Sequence, residues 1–307
     1  MNPPQSAAPA PAVSVIIVNY NAGPLLAECV AAVLSSSLRV DVIVSDNGSV
    51  DDSLERLKAA WSQEPRLSVL ENGANLGFAR ANNRALPLTH ADYLLLLNPD
   101  CLVRPETLAR IAAFMDSRPE VGMAGCLILN PDGTEQVACR RSIPDPWIAF
   151  KRLTRLDRLM PGAGGRRLNH DREPLPTSPT DVEAISGSFM FVRRQALDAV
   201  GPLDEGYFLH CEDLDWFVRF HQAGWKIALI PDVSVIHHKG ACSTSDPAAV
   251  ERHKHRGMER FFRKFQAHRY PRPFSALVIL GIRLHFFLVR FAVFVRSWAR
   301  GIFKRPH

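Results

Sequence analysis

The chain has 307 residues, 47% of them apolar and 22% charged, which is enough to bury a substantial core and excludes disorder of the whole chain. Its six cysteines (Cys29, Cys101, Cys126, Cys139, Cys211 and Cys242) form no C-x-x-C pair, which argues against a zinc ribbon or a disulfide scaffold and suits a reducing compartment. The net charge of +6 is uneven: Glu251–His307 hold 14 Lys and Arg against 2 Asp and Glu, so the remainder is net acidic.

The first twelve residues, MNPPQSAAPAPA, lack the basic start and long apolar run of a signal peptide. They read as a disordered leader, residues 1–12, on a cytoplasmic protein. Val13–Asn19 is a continuous apolar run ending in polar residues, as a buried parallel strand does. Pro24 opens a helix over Leu25–Leu34, and Asp41–Ser45 forms a second strand that runs into the turn Asp46-Asn47-Gly48-Ser49. A helix with Leu54, Leu57 and Trp61 on one face follows, capped by Asp51. Leu67–Glu71 is the third strand, Phe78–Leu86 a helix, and Tyr93–Leu97 a fourth strand that stops at Asn98-Pro99-Asp100. Pro105 starts the next helix. Val121–Leu129 and Thr134–Arg140 are expected strands about the turn Asn130–Gly133. Residues 141–180 carry Pro, Gly and Arg without periodicity and read as a lid or binding segment. A strand region over Val182–Arg193, a helix over Glu212–Ala223 and strands at Lys226–Ile230 and Val233–Ile236 complete the body. Strands alternating with helices make βαβ units and a mostly parallel sheet, whose ligands bind outside the carboxyl ends of the strands. The polar clusters at Asn19-Tyr20-Asn21, Asp46-Asn47-Gly48 and Asn98-Pro99-Asp100 all fall at such ends.

The chain contains no P-loop, no H-E-x-x-H, no G-x-G-x-x-G after the first strand and no G-x-S-x-G. What it does contain is the ordered series VSVIIVNYN, VSDNGSVDDS, NLGFARANN, LLLLNPDCLV, ISGSFMFVRR, YFLHCEDLDWFVR and IHHKG, spanning Val13 to Gly240. This series resembles the family 2 glycosyltransferases, and most of all their rhamnosyltransferase-like branch. The resemblance implies an α/β GT-A type nucleotide-diphospho-sugar transferase fold, a divalent metal (Mg²⁺ or Mn²⁺) and inversion at the anomeric carbon. It divides the chain into a GT-A domain at 13–245, with a nucleotide-sugar half at about 13–130 and an acceptor and catalytic half at about 131–245. A basic, aromatic helical tail occupies 246–307.

The resemblance also implies roles. Asp46 accepts the N3–H of a uracil or thymine ring, although an Asx-turn is the plainer reading of that position. Tyr20, Asn21 and Asn47 line the same base, and Arg80, at the start of a helix, faces phosphate or base. Asn98 stands where the wider superfamily has the first acid of Asp-x-Asp and suits a ribose hydroxyl or a metal-bound water. Asp100 and His237 are the metal ligands, with imidazole favouring Mn²⁺. Asp213, the second acid of the Glu-Asp pair, is the general base for the acceptor hydroxyl; Glu212 orients the acceptor and Asp215 braces the site. Three acids in a first helical turn also suit the helix dipole, which is the structural alternative. Ile185–Phe191 is either a backbone approach to the sugars or a simple bulge.

In the tail, Phe274–Ala299 is apolar but broken by Arg283, His285, Arg290 and Arg296. It reads as a helix lying on an anionic membrane surface, with docking on the body as the alternative. Nucleic acid is not an expected partner, because no recognised module accompanies the charge. The expected reaction is transfer of a deoxyhexose, L-rhamnose from dTDP-rhamnose, to a saccharide or polyprenyl-diphosphate-linked acceptor at the inner face of the membrane. A UDP-hexose donor is the nearest alternative, and a non-catalytic nucleotide- or glycan-binding scaffold is the alternative of another class.

Overall fold

Side chains alternate across β1 (Val13–Asn19), so that Val13, Val15 and Ile17 enter one core while Ile16 and Val18 enter another. The computed structural model describes residues 12–147, 168–171, 173–238, 240 and 247–303, with side chains as far as 291. After β1 come α1 (Pro24–Leu34), β2 (Val40–Asp46), α2 (Ser53–Trp61), β3 (Leu67–Glu71), α3 (Phe78–Ala85) and β4 (Tyr93–Leu97). Then follow β5 (Cys101–Leu102), α4 (Thr107–Ser117), β6 (Val121–Leu129), β7 (Arg140–Arg141), β8 (Thr180–Asp181), β9 (Ala184–Ile185) and β10 (Phe189–Arg193). The chain closes with α5 (Arg194–Val200), α6 (Glu212–Gln222), β11 (Lys226–His237), α7 (Pro247–Phe265) and α8 (Arg272–Phe303).

The main sheet runs β3-β2-β1-β4-β10-β6-β11-β5, with β8 beside β11. β3, β2, β1 and β4 are parallel, and the inner strands β1 and β4 are buried throughout, as strands covered on both faces are. β10 enters antiparallel between β4 and β6, and β11 returns parallel to β6. The sheet is therefore mixed, with the expected α/β architecture. Helices α1 and α4 cover one face, with Leu26, Val30, Leu108 and Ile111 buried against it. Helices α3, α6 and α7 cover the other, through Ala81, Trp216, Phe217, Phe261 and Phe265.

Three local readings change. Thr134–Arg140 is no strand: Ala138 has φ 74°, only the bridge Leu129–Glu135 and the two residues of β7 pair, and Gln136 and Arg140 turn inward. The two strands expected at Lys226–Ile236 are one strand, β11, with an irregularity between Ile230 and Ser234. The expected Val182–Arg193 strand is broken at Ser186-Gly187-Ser188, leaving β9 to pair with β7 and β10 to join the sheet. The leader, residues 148–167 of the expected lid and the last residues of the tail lie outside the described residues.

The basic stretch from 246 is two different things. Helix α7 is docked on the body: Phe261, Phe262 and Phe265 are buried, while Arg260 and Lys264 pair with Asp204 at 2.9 and 2.7 Å. Lys264 also reaches the fully buried Asp215 at 2.6 Å, and Arg219 holds its other oxygen at 2.8 Å. Helix α8 leans on α7 through His255–His285 (2.8 Å) and Arg283–Glu259 (2.9 Å). Its Leu277, Leu280, Leu284, Phe287, Leu288 and Phe291 recur at helical spacing and are all exposed.

Candidate active site

Parallel pairing brings Asn19 and Asp46 side by side at the carboxyl ends of β1 and β2. Asp46 is buried, and four donors of the chain itself reach its carboxylate. Oδ1 accepts from Asn19 Nδ2 (2.8 Å) and Ser49 Oγ (2.6 Å); Oδ2 accepts from the backbone N–H groups of Gly48 and Ser49 (both 3.0 Å). A carboxylate offers about four acceptor positions, so a nucleobase N3–H reaches Asp46 only by displacing one of these donors. Asn21 (φ 54°), after β1, is tied to the turn they fix: its Oδ1 accepts from Val50 N–H (2.8 Å) and its own N–H donates to Ser49 Oγ (3.0 Å). Asn47 is buried and tied to Asn72 (3.1 Å) and to the Gly77 carbonyl (3.3 Å), and Tyr20 stands half-buried at the rim.

Helix α3 does not present its first N–H outward. Phe78 N–H donates to the Phe208 carbonyl at 2.9 Å, and that carbonyl lies where a Cβ on Gly77 (φ 82°) would be. The glycine of Asn-Leu-Gly-Phe is thus required by close backbone approach. Arg80 pairs with Glu205 at 3.0 Å on the surface, both half-exposed.

At the end of β4 the chain turns through Asn98-Pro99-Asp100 into β5, which pairs Cys101 with His237. This register sets Asp100 Oδ1 3.1 Å from His237 Nε2, with both side chains buried. The imidazole tautomer follows from its partner. Gln136 Nε2 donates to the His237 carbonyl and to Asn130 Oδ1 (both 3.1 Å), which leaves Gln136 Oε1 facing His237 Nδ1 at 2.7 Å. Nδ1 therefore carries a proton, and Nε2 is the nitrogen that faces Asp100. Asp100 Oδ1 is itself buried without a hydrogen-bond partner. A carboxylate oxygen and an imidazole nitrogen at this spacing fit a shared divalent cation, because cis ligands ~2.1 Å from an octahedral ion stand about 3 Å apart. Asn98 Nδ2 lies 3.5 Å from the same nitrogen. Cys101 Sγ completes a group of three potential ligands within 4.8 Å, although it points into the core against the Ser188 carbonyl (3.6 Å).

Helix α6 opens with Glu212 and Asp213 behind Cys211, a non-glycine residue at φ 72°. Asp213 Oδ1 accepts the Leu214 N–H at 2.8 Å, and Oδ2 accepts from Arg141 on β7. A Cβ on Gly187 would stand 2.9 Å from Oδ2, so the break between β9 and β10 must be glycine for the carboxylate to sit there. Glu212 is buried and its Oε2 has no hydrogen-bond partner. Burial first, and the charge of Asp213 second, push its carboxyl up to about 8, so it is protonated at neutral pH. Sequence reasoning missed Gln136, Arg141 and the exact purpose of Gly187; only the small residues of Ser186-Gly187-Ser188 hinted at the last.

The family model described as "Glycosyl transferase family 2" matches residues 14–201. An "N-acetylglucosaminyl-diphospho-decaprenol L-rhamnosyltransferase" of Mycobacterium tuberculosis is 30% identical over 263 residues, 76% of this chain and 78% of that protein. "Rhamnosyltransferase WbbL" of Escherichia coli is 26% identical, over 74% of this chain and 83% of its own. Among solved structures, the mannosyltransferase PcManGT of Pyrobaculum calidifontis with GDP-Man and Mn²⁺ aligns with a TM-score of 0.56 at 19% identity, covering 92% of this chain and 73% of that one. S. aureus TarS 1–349 with UDP-GlcNAc aligns with a TM-score of 0.56 at 15% identity, covering 88% of this chain and 71% of that one. These two show the fold, which is of the GT-A kind. The family match over most of the sheet, with the ordered motifs at its strand ends, makes the chain a member of glycosyl transferase family 2.

Proposed function

We propose that the chain is a metal-dependent inverting glycosyltransferase that moves L-rhamnose from dTDP-rhamnose to a saccharide on a polyprenyl diphosphate, at the cytoplasmic face of the membrane. The observation that carries the reading is the close approach of Asp100 Oδ1 and His237 Nε2, buried at the end of β4 where the GT-A fold receives a nucleotide diphosphate. Those two residues would hold Mg²⁺ or Mn²⁺, which when bound offsets the charge of the leaving diphosphate. The choice of sugar and of lipid-linked acceptor rests on likeness to the mycobacterial and E. coli rhamnosyltransferases.

Asp213 is the general base. Its Oδ2, on the open side of the Gly187 corner, takes the acceptor hydroxyl proton as that oxygen attacks the anomeric carbon. The bond from that carbon to the diphosphate oxygen breaks on the opposite face, and dTDP leaves with both electrons. Glu212, neutral at pH 7, donates a hydrogen bond toward the acceptor and spares Asp213 a second negative charge. Asp46 serves the donor by holding the turn that carries Asn47, with Asn21 tied to the same turn, and Asp215 braces α6 against α7. Tyr20 and Asn98 complete the nucleotide side. Arg80 lines it only if it leaves Glu205.

Helix α8 supplies the membrane contact. Arg272–Phe291 has a mean hydropathy of 1.8 and none of it is buried, so it is long and apolar enough to cross a membrane by length and composition. Arg283 and Arg290 interrupt the stretch, which favours a helix lying at the interface with its arginines on anionic headgroups. The test of the whole reading is nucleoside diphosphate release from a donor panel, dTDP-rhamnose beside UDP-hexoses, with N-acetylglucosaminyl-diphospho-polyprenol as acceptor. Release from dTDP-rhamnose that depends on this acceptor is the expected result; release only from a UDP-hexose overturns the donor assignment.

A further inference from the structure

We infer that Arg141 is a positioning residue for the transfer, one that acts through Asp213 by locking its carboxylate in the orientation that removes the acceptor proton. The inference rests on the role proposed for Asp213. Arg141 lies 72 residues before its partner, on the two-residue strand β7, which pairs with β9 through Arg140–Ile185 and Arg141–Ala184. Its guanidinium is held on three sides. Nη2 donates to Asp213 Oδ2, Nη2 and Nε donate to the Ile185 carbonyl at 3.0 and 3.3 Å, and Cζ lies 5.9 Å from the centroid of the Phe217 ring. Phe217 follows Asp213 by one helical turn, so the cation rests on the same face of α6 as the carboxylate it serves. The pair is largely screened from water, Arg141 being 16% and Asp213 13% exposed.

The consequence for Asp213 is geometric. Oδ1 is spent on the Leu214 N–H, and Oδ2 points past Gly187, where no Cβ obstructs it. Each carboxylate oxygen has two acceptor positions. With Arg141 on one position of Oδ2, the other is fixed toward the corner between β9 and β10, the side on which the hydroxyl must arrive. Without the guanidinium the Leu214 N–H alone holds the carboxylate, and Oδ2 loses its second anchor. Arg141 also balances the charge of Asp213 in a pocket that already contains the buried carboxyl of Glu212. A fork-shaped, permanently charged partner suits both tasks better than an ammonium does.

The test is a double-mutant cycle on the full-length protein, with kcat, KM and the dissociation constant of dTDP measured for each variant. Arg141→Gln is expected to lower kcat by about 10- to 100-fold and leave dTDP binding within about twofold, and Arg141→Lys to recover part of the loss. In an Asp213→Asn background, Arg141→Gln should change the residual rate by less than about threefold, because its effect passes through the group already removed. A full multiplicative loss in that background, or a rise in the dTDP dissociation constant at unchanged kcat, shows that Arg141 touches the substrate and overturns the inference. So does an Arg141→Lys enzyme as slow as Arg141→Gln with a wild-type thermal midpoint. If Asp213→Asn alone keeps normal turnover, the base assignment itself falls, and the inference with it; if only the Arg141 arms fail, the base assignment stands.

Discussion

Asp100 Oδ1 and His237 Nε2 stand 3.1 Å apart, although the two residues are separated by 137 positions in the chain. The arrangement depends on Gln136, whose Oε1 accepts the hydrogen bond of His237 Nδ1–H and whose amide is itself fixed by the His237 carbonyl and Asn130. A partner of this kind behind a metal-binding histidine typically contributes 10- to 100-fold in affinity. Gln136→Leu should therefore weaken Mn²⁺ binding by about that factor, read from the free-ion signal in a paramagnetic titration with no substrate present. Unchanged Mn²⁺ affinity would mean that His237 does not bind the ion through Nε2. In the same account, chelator followed by dialysis abolishes transfer and either Mn²⁺ or Mg²⁺ restores it.

Glu212 predicts a pH-dependent stability. Its ordinary value of 4.5 applies in the unfolded chain, while in the fold the group stays protonated up to about 8. Between those two values the folded state binds more protons, so stability falls as pH rises and levels off above 8. Glu212→Gln keeps the shape without the titration. The variant should gain little at pH 5 and the most at pH 8 to 9, with about 2–4 °C in the thermal midpoint for each kcal/mol gained. A gain that is constant with pH, or that shrinks as pH rises, would contradict a neutral Glu212.

Asp46 should behave first as a structural residue. Removing its carboxylate strands the Gly48 and Ser49 N–H groups and the Ser49 hydroxyl proton, while Asn19 Nδ2 keeps only its bonds to Ser49 and Ser53. Asp46→Ala should cost about 2–4 kcal/mol in urea unfolding. Asp46→Asn is not expected to rescue it, since the amide sets two protons against donors. An Asp46→Asn protein of wild-type stability that has lost only its nucleotide affinity would assign the carboxylate to the base after all.

Cutting the chain after Pro271 removes α8 and spares α7, whose Phe261, Phe262 and Phe265 belong to the core. The full-length protein should float with vesicles of phosphatidylglycerol and phosphatidylethanolamine in a salt-sensitive way, each basic residue adding about 1 kcal/mol. The truncated protein should stay behind, with its thermal midpoint kept. Transfer to a lipid-linked acceptor should then fall further than transfer to a short soluble one. Full-length protein that ignores both anionic and neutral vesicles would leave the exposed stripe from Leu277 to Phe291 without a membrane role.

The parallel half of the sheet was readable because each strand is an apolar run closed by a polar cluster, a purely local signal. The residues that organise the site were not, for the opposite reason. Gln136 meets His237 across 101 positions and Arg141 meets Asp213 across 72. No periodicity marks such pairs, and the stretch that contains Gln136 reads as a strand only from its place after the turn Asn130–Gly133. Asp46 stands out in the sequence by its place at a strand end, but its commitment to Asn19 depends on the register of β1 against β2. The basic tail showed its charge plainly. Which basic residues face the body is decided by Asp204 and Asp215, far upstream, which pair with Arg260 and Lys264.

The central claim is that Asp213 removes the acceptor proton. Its most direct test is steady-state nucleoside diphosphate release by Asp213→Asn with dTDP-rhamnose and N-acetylglucosaminyl-diphospho-polyprenol, beside the dissociation constant of dTDP. The substitution keeps the size of the side chain and its hydrogen bond from Leu214 but cannot take up the proton. Turnover should fall by about 10²- to 10⁴-fold while dTDP binding is kept. Turnover within a few-fold of the unaltered protein would contradict the account.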